Sequence, residues 1–597
     1  MIAPHPFPLP TTRKSSRGEG SGEAVPTSRT RLIRTRFVRG LDSLRQEWLR
    51  SLIMLLAVLM VGGLVLYPLG ILFNIGLRTE NGALTLANYR SVLTEPGLLS
   101  ALTNSLIISA ATTVLSLILA LPMAWAVART AMPGRQLIRV AVLIAFVIPN
   151  FISVIAWILL LGPNAGLINV LLRDTFGIAG VFNIYSTSGL ILVLTFSFYP
   201  LIFFAVTAAL DNMDPAYEEA AQMAGASAWR ASLGVTMPLV LPAIVSASVF
   251  VFLEAMGAFG APAAIGHGAR FHTLTTKIYE LFSYPPRFEL AAAAAAPIIG
   301  FTVLGLLLQR VVLRGRRFTI IGGKRGAARA VDLGKGRWLL FGWCVLVVFV
   351  SVVLPLIILL RTSLMARWGL AFSWENLTLR NYASFASAST IVPAAFFNSA
   401  LISAVVASAC VVLGMIVVWI VERTALPGRG LLTFASTVTF AFPGVALAVG
   451  FVLGFSAEPL ALFGTIWLFF IAFTAHRFPF AFMFLRNSLK QLSSEMEEAG
   501  RVCGASWTRA LIDISAPLIK SGLLAAWMVV FAVTLRELSM AILLYVPGTE
   551  TLPIAIYSFI DNGTFEIAAA LSVVLILLSI AAMLALRWLT GKAHMEL

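Results

Sequence analysis

Twelve runs of apolar residues, each long enough to cross a bilayer, leave this chain few ways to fold. A hydrocarbon core about 30 Å thick needs about 20 apolar residues per helix. Such runs lie near 51–77, 100–128, 138–162, 187–210, 237–262 and 291–312, and again near 338–361, 394–421, 431–455, 461–486, 518–546 and 566–588. Hydrocarbon offers no water to satisfy a free backbone group, so runs like these become helices. The expected fold is all-α: a polytopic membrane protein of about 12 transmembrane helices. Of the 597 residues, 59% are hydrophobic and 12% charged. A soluble domain carries about 25% charged residues, so a soluble globular body is excluded.

The charges that remain sort by side. Arg310, Arg314, Arg316, Arg317, Lys324, Arg325, Arg329, Lys335 and Arg337 crowd one stretch against a single acid, Asp332. By the excess of Lys and Arg in loops facing the cytoplasm, that stretch is expected inside. The loops 129–139 and 422–429 and the end at Arg587–Lys592 fall on the same side. The loops 78–99 and 163–186 carry few basic residues and fall outside. Residues 1–48 are rich in Arg, Pro and Gly and read as a disordered basic cytoplasmic tail, with no cleaved signal peptide. Residues 591–597 form a second cytoplasmic tail. The net charge of +16 therefore points to the lipid bilayer and not to nucleic acid, for which no recognition module is present. The three cysteines form no metal or disulfide pattern.

The chain repeats itself. Asn104-Ser105 returns as Asn398-Ser399, and Arg129-Thr130-Ala131-Met132-Pro133-Gly134-Arg135 returns as Arg423-Thr424-Ala425-Leu426-Pro427-Gly428-Arg429, both at an offset of 294. Asn88-Tyr89 matches Asn381-Tyr382 at 293, and Thr273-Leu274 matches Thr551-Leu552 at 278. Two homologous six-helix domains are expected, at 49–312 and 338–590, joined by a basic cytoplasmic linker at 313–337. An even number of spans per half gives both the same orientation, hence a parallel repeat about an axis along the membrane normal.

Two polar islands interrupt the apolar text. The first runs from Glu218 to Arg230 and the second from Glu497 to Arg509. Asp214 is placed to cap the first, with Pro215 at its first helical position. Ser494 and Glu497 have capping-box spacing in the second. Gly225 and Gly504 are expected to stop the helices in a left-handed turn, and Ser227 and Ser506 to cap a second short helix. An amphipathic helix resting on lipid would need a strong apolar face and a basic polar face. Paired acids and a glycine turn, twice in the same order, instead suggest docking to a partner.

The first island reads Glu219-Ala220-Ala221, three residues, Gly225, nine residues, Val235, then Met237-Pro238. It resembles the "EAA" signature of permease subunits in binding-protein-dependent ABC importers. The second reads Glu498-Ala499-Gly500, three residues, Gly504, nine residues, Ile514, then Ala516-Pro517. It departs from the pattern at Gly500 and Ala516. The resemblance covers residue 50 to the end, and within the family it is greatest to fused ferric iron permeases. Thiamine, phosphonate and polyamine permeases share the architecture.

The resemblance implies a type I importer permease in the bacterial inner membrane with both termini cytoplasmic. It implies coupling helices at Glu218, Glu219, Ala220 and Gly225 and at Glu497, Glu498, Ala499 and Gly504, docked on ABC ATPase subunits as a homodimer. It also implies an external solute-binding protein meeting the loops near 163–186, 262–290 and 547–565. The asymmetry at Gly500 suggests that the first island docks more tightly. No phosphate-binding G-x-x-x-x-G-K-[ST] loop occurs, so ATP hydrolysis would belong to a separate subunit and this chain would not be an enzyme.

Glu254 and the pair Arg536-Glu537 lie in the fifth and eleventh apolar runs. Charge there is costly and points to function, which makes Glu254 and Glu537 candidate pathway residues, with near-end structural pairing as the alternative. Pro149 and Pro443, and Pro200 and Pro479, recur at matched places and suggest kinks. No cofactor, metal cage or catalytic triad is legible. The rival class is an ion-coupled secondary transporter, which would have no use for paired docking helices.

Overall fold

The computed structural model describes residues 62–312 and 333–590, apart from positions 179, 215, 370–373, 388–390, 425–428, 440, 441 and 459. The tail 1–48, most of the linker 313–337, Pro215, and the tail 591–597 lie outside the described residues, as does much of the second Arg-Thr-Ala-Leu-Pro-Gly-Arg copy. All regular structure among the described residues is helical.

The first half runs α1 (Gly62–Gly76), α2 (Ala87–Thr94), α3 (Pro96–Arg129), α4 (Arg135–Val147), α5 (Asn150–Leu161), α6 (Leu167–Phe176) and α7 (Thr187–Asp211). The island follows as α8 (Ala216–Met223) and α9 (Ala228–Ala231), then α10 (Met237–Gly257), α11 (Gly260–Ala269), α12 (Leu274–Leu281) and α13 (Phe288–Val312). The second half repeats the order with α14 (Gly336–Ser363), α15 (Arg380–Ala383), α16 (Val392–Arg423), α17 (Arg429–Val438), α18 (Gly444–Phe455) and α19 (Ile466–Lys490). Its island is α20 (Glu495–Val502), leading to α21 (Trp507–Leu518), α22 (Lys520–Leu535), α23 (Ala541–Leu544), α24 (Leu552–Asp561) and α25 (Phe565–Thr590).

Among these, eight helices are long and apolar enough to cross a membrane, or ten if each bent pair is one span. The apolar run 138–162 is not one straight helix. It breaks at Pro149, and α4 meets α5 at 96°. Pro149 has no N–H to give and biases the residue before it toward extended backbone; Ile148 is extended, at φ −67°, ψ 117°. Pro443, the matched proline, precedes α18 in the same way, with ψ 140°. The runs 237–262 and 518–546 also overreach, since α10 ends at Gly257 and α22 at Leu535. What reads as external loop at 163–186, 262–290 and 547–565 holds α6, α11, α12 and α24.

The repeated Asn-Ser pair fastens these returning segments. Ser105 Oγ accepts the Leu274 N–H and Ser399 Oγ accepts the Leu552 N–H, each at 2.7 Å. Asn104 donates to the His272 carbonyl, and Asn398 donates to those of Gly548 and Glu550. Leu274 and Leu552 are first residues of helices, whose opening N–H groups have no partner within the helix. The serines supply it across the fold. Ser105→Ala and Ser399→Ala should each cost about 1–3 kcal/mol, because a buried donor is orphaned. Thermal unfolding of the purified chain checks this; unchanged melting of both variants would contradict it.

Candidate functional site

Both islands are built by the same local rules. In the first, Asp214 Oδ1 accepts the Ala216 N–H at 2.9 Å, the expected cap. The helix stops at Gly225, whose φ is +90°; Gly504 has φ +93°. The Ala226 N–H reaches the Ala221 carbonyl and the Gly225 N–H that of Gln222. Ala505 and Gly504 make the same two bonds to Gly500 and Arg501. This pairing is the Schellman stop, which needs a left-handed residue and so favours glycine. Ser227 and Ser506 then accept from Arg230 and Arg509, as their position suggests.

The capping-box reading of Ser494 and Glu497 fails. Ser494 is helical and makes no capping bond, and the carboxylate of Glu497 is turned inward. Glu497 is 6% exposed and its repeat mate Glu218 is 8% exposed. Each is held by an arginine at the end of a spanning helix. Arg423 Nε donates to Glu497 Oε1 at 3.0 Å, while its Nη2 donates to the carbonyls of Leu489 and Leu492 at 3.1 and 2.7 Å. Arg129 stands 3.8 Å from Glu218 and donates to the carbonyls of Leu210 and Met213 at 2.8 and 3.2 Å. The hydroxyl of Ser515 donates to Glu497 at 2.7 Å, and that of Thr236 donates to Glu218.

The electrostatics of this pin are direct. The cation sits on carbonyls at the C-terminal ends of α7 and α19, and the carboxylate sits in the first turn of α8 and α20. Both placements suit the helix dipoles. One arginine thus ties the end of a membrane helix to the start of an island, and a hydroxyl from the helix that follows closes the triangle. Burial makes each bond hard to replace with water.

With Glu218 and Glu497 turned in, the face left outside is defined. Glu219, Ala220, Glu498, Ala499, Gly225 and Gly504 are exposed. Met223 is 89% and Val502 88% exposed, and these two are repeat mates, as are Tyr217 and Met496. The exposed face thus carries Glu219 in the first island and Glu495 with Glu498 in the second, beside apolar side chains.

The departure at Gly500 has a packing reason. A Cβ there would lie 2.3 Å from Ile514 Cδ1. In the first half the same two positions are Ala221 and Val235. Where the glycine drops a methyl, the isoleucine adds one, so the second island is filled as fully as the first. The asymmetry argument built on Gly500 loses its basis. Gly500→Ala presses only on the terminal Cδ1 of Ile514, a part-exposed side chain that can turn aside, so it should cost no more than about 1 kcal/mol, and Gly500→Ala with Ile514→Val should remove that cost. Thermal melting of both variants checks this; a double variant no better than the single contradicts it.

Away from the islands, a cavity of about 640 Å³ lies between the halves. Its lining includes Asn150, Glu254, Gln309, His476, Arg477 and Glu537. Arg536 and Glu537 follow α22 instead of lying within it, so the near-end alternative holds for them. Glu537 accepts from Arg477 and, at 3.1 Å, from the Met540 N–H. Arg536 donates to the carbonyls of Phe146 and Val147 at 2.9 and 3.0 Å, capping α4. A pseudo-twofold contact closes the same level. Gly257 packs on Pro443 so closely that a Cβ would lie 2.6 Å away, and Arg536, its mate at offset 279, reaches the residues just ahead of Pro149. Among the described residues, no group of three or more His, Cys, Asp or Glu could hold a metal ion.

The family model for the binding-protein-dependent transport system inner membrane component matches residues 97–318 and 427–594, one stretch in each repeat. The chain belongs to this family of inner membrane permeases. Similar proteins include the ferric transport system permease protein FbpB of Actinobacillus pleuropneumoniae, 23% identical over 84% of this chain and 73% of that one. A putative ferric transport system permease protein FbpB 1 of Haemophilus influenzae is 24% identical over 83% of this chain and 78% of its own. The molybdenum transport system permease protein ModB of Haemophilus influenzae is 30% identical over 35% of this chain and 91% of its own. A chain from a bacterial ABC transporter involved in alginate import is 18% identical, with a TM-score of 0.37 over 46% of this chain and 99% of that one.

As a permease, the chain is a transport subunit of an ABC importer and not an enzyme. Each matched stretch contains one island with its buried glutamate; Arg129 lies within the first match, and Arg423 lies four residues before the second. The pins are the feature of this permease that reading the sequence missed. Arg129 and Glu218 are 89 residues apart and Arg423 and Glu497 are 74 apart. A signal was present all the same: both members of each pin recur at the offsets of the repeat.

Proposed function

We propose that this permease carries ferric iron inward, driven by a homodimer of ABC ATPase subunits that seats on the two islands. An external binding protein delivers the cargo to the side opposite the islands. The island side is then cytoplasmic, as are both termini. The domains are 49–312 and 338–590, with 1–48, 313–337 and 591–597 as basic tail, linker and tail. Glu219, Ala220 and Gly225, with Glu498, Ala499 and Gly504, form the docking surfaces, and Glu218 and Glu497 hold those surfaces to the membrane helices. The observation that carries the reading is the matched pair of islands, each exposed on one face and pinned on the other. The ferric cargo rests on the two FbpB relatives, whose likeness runs over more than four-fifths of the chain.

ATP-dependent uptake of ferric iron into proteoliposomes, with the co-encoded ATPase and binding protein, tests this. Iron accumulation that needs all three components is expected. ATP-dependent uptake of an aminophosphonate or molybdate without iron uptake would overturn the cargo while leaving the permease.

A further inference from the structure

Glu254, Arg477 and Glu537 line the cavity, and Arg536 adjoins Glu537 in the chain. The internal repeat serves as a control on why they are there. At offset 279 their mates are Val533, Phe198, Gly257 and Ala258, all uncharged. The halves share their order of helices, although α10 is unbroken where its mate bends by 77° between α21 and α22, so an uncharged residue serves at each of these places in one half. A charge kept at membrane depth costs several kcal/mol or more unless it is used.

Three of the four are committed. Arg477 and Glu537 neutralise each other, Glu537 also takes the Met540 N–H, and Arg536 holds two carbonyls of α4. Glu254 is the remainder. It sits on α10 three residues before the Gly257–Pro443 contact and is exposed to the cavity; Arg477, Arg536 and Glu537 are near enough to act on it electrostatically, but among the described residues none bonds to it directly. The lining around it adds neutral oxygens from Asn150, Thr437 and Ser539 and no cysteine. Carboxylate and neutral oxygen suit a hard cation.

We propose that Glu254 is a cargo-contacting residue: a transient station for a hard trivalent cation in the cavity between the halves. A transport site must bind well enough to be entered and weakly enough to be left. One free carboxylate with neutral oxygens and water meets that requirement, and a multi-carboxylate cage would not. Glu537 has no part in the site, because its oxygens are taken. The inference rests on the ferric reading for the natural cargo but not for the site itself.

The test uses the full-length chain in zwitterionic nanodiscs, titrated with terbium(III) and read by lanthanide emission. Wild type is expected to show saturable binding. Glu254→Asp keeps it, and Glu254→Gln weakens it by at least roughly tenfold, the loss caused even by removing an outer partner of a metal ligand. Glu254→Val copies the residue at the repeat mate and so keeps the fold while losing the ion. Equal binding by wild type and both neutral variants, or no saturable binding by wild type, would overturn the site. The same variants in the iron-uptake assay separate the two readings. Iron carried by wild type and equally by Glu254→Gln sinks the site alone, whereas no iron carried by wild type sinks the ferric cargo and leaves terbium binding to decide the site.

Discussion

Arg423→Met is expected to cost about 3–5 kcal/mol and to disconnect the second island from the membrane helices. The substitution leaves Glu497 buried and charged without its cation, which is where that magnitude comes from. It also removes one donor from each of the Leu489 and Leu492 carbonyls, the first of which keeps the Leu492 N–H. Arg423→Met with Glu497→Gln should recover about half of the loss or more, because no uncompensated charge then remains. Arg129→Met and Arg129→Met with Glu218→Gln should behave alike in the first half. The decisive readout is not stability alone. In a reconstituted complex the single variants should hydrolyse ATP with little transport, since the island is no longer tied to the helices it must move. Melting temperature together with iron carried per ATP checks both parts. Full coupling in Arg423→Met would show that the pin is only a local prop.

Reversing charge on the outer face should do the opposite, sparing the fold and losing the partner. Glu219 and Glu498 are exposed and make no pin. Glu219→Arg with Glu498→Arg should therefore change stability within about 0.5 kcal/mol, as surface substitutions do. Binding to the ATPase should fall by at least roughly tenfold, because a like charge set against the partner costs several kcal/mol. Glu218→Arg should give the reverse pattern, with a large stability loss first. Size-exclusion co-elution with the ATPase and thermal unfolding, run on the same samples, separate the two faces. Unchanged ATPase binding by Glu219→Arg with Glu498→Arg would contradict the assignment.

Much of this was legible in the residues themselves. Turn chemistry named Gly225, Gly504, Asp214, Ser227 and Ser506 correctly, because a helix stop or a cap is decided within a few positions of chain. The repeat announced a fold built twice. The bend at Pro149 was only half visible, since hydropathy passes through a proline without a break. The capping box at Ser494 misled because its glutamate is claimed by Arg423, a charge brought close only by the packing of α16 against α19. The compensation between Gly500 and Ile514 likewise needed the two elements in contact before a missing methyl could be seen to be replaced. Local rules governed wherever no distant partner competed, and failed where a buried charge or a packed side chain did.

The claim at the centre of the account is that the paired islands pass the work of ATP to the two halves of the permease. The measurement closest to it is ATP hydrolysis by the reconstituted complex, with and without loaded binding protein, for wild type and for Glu219→Arg with Glu498→Arg. The account predicts that loaded binding protein stimulates hydrolysis in wild type and leaves the variant at the rate of the free ATPase. Equal stimulation of both would contradict it.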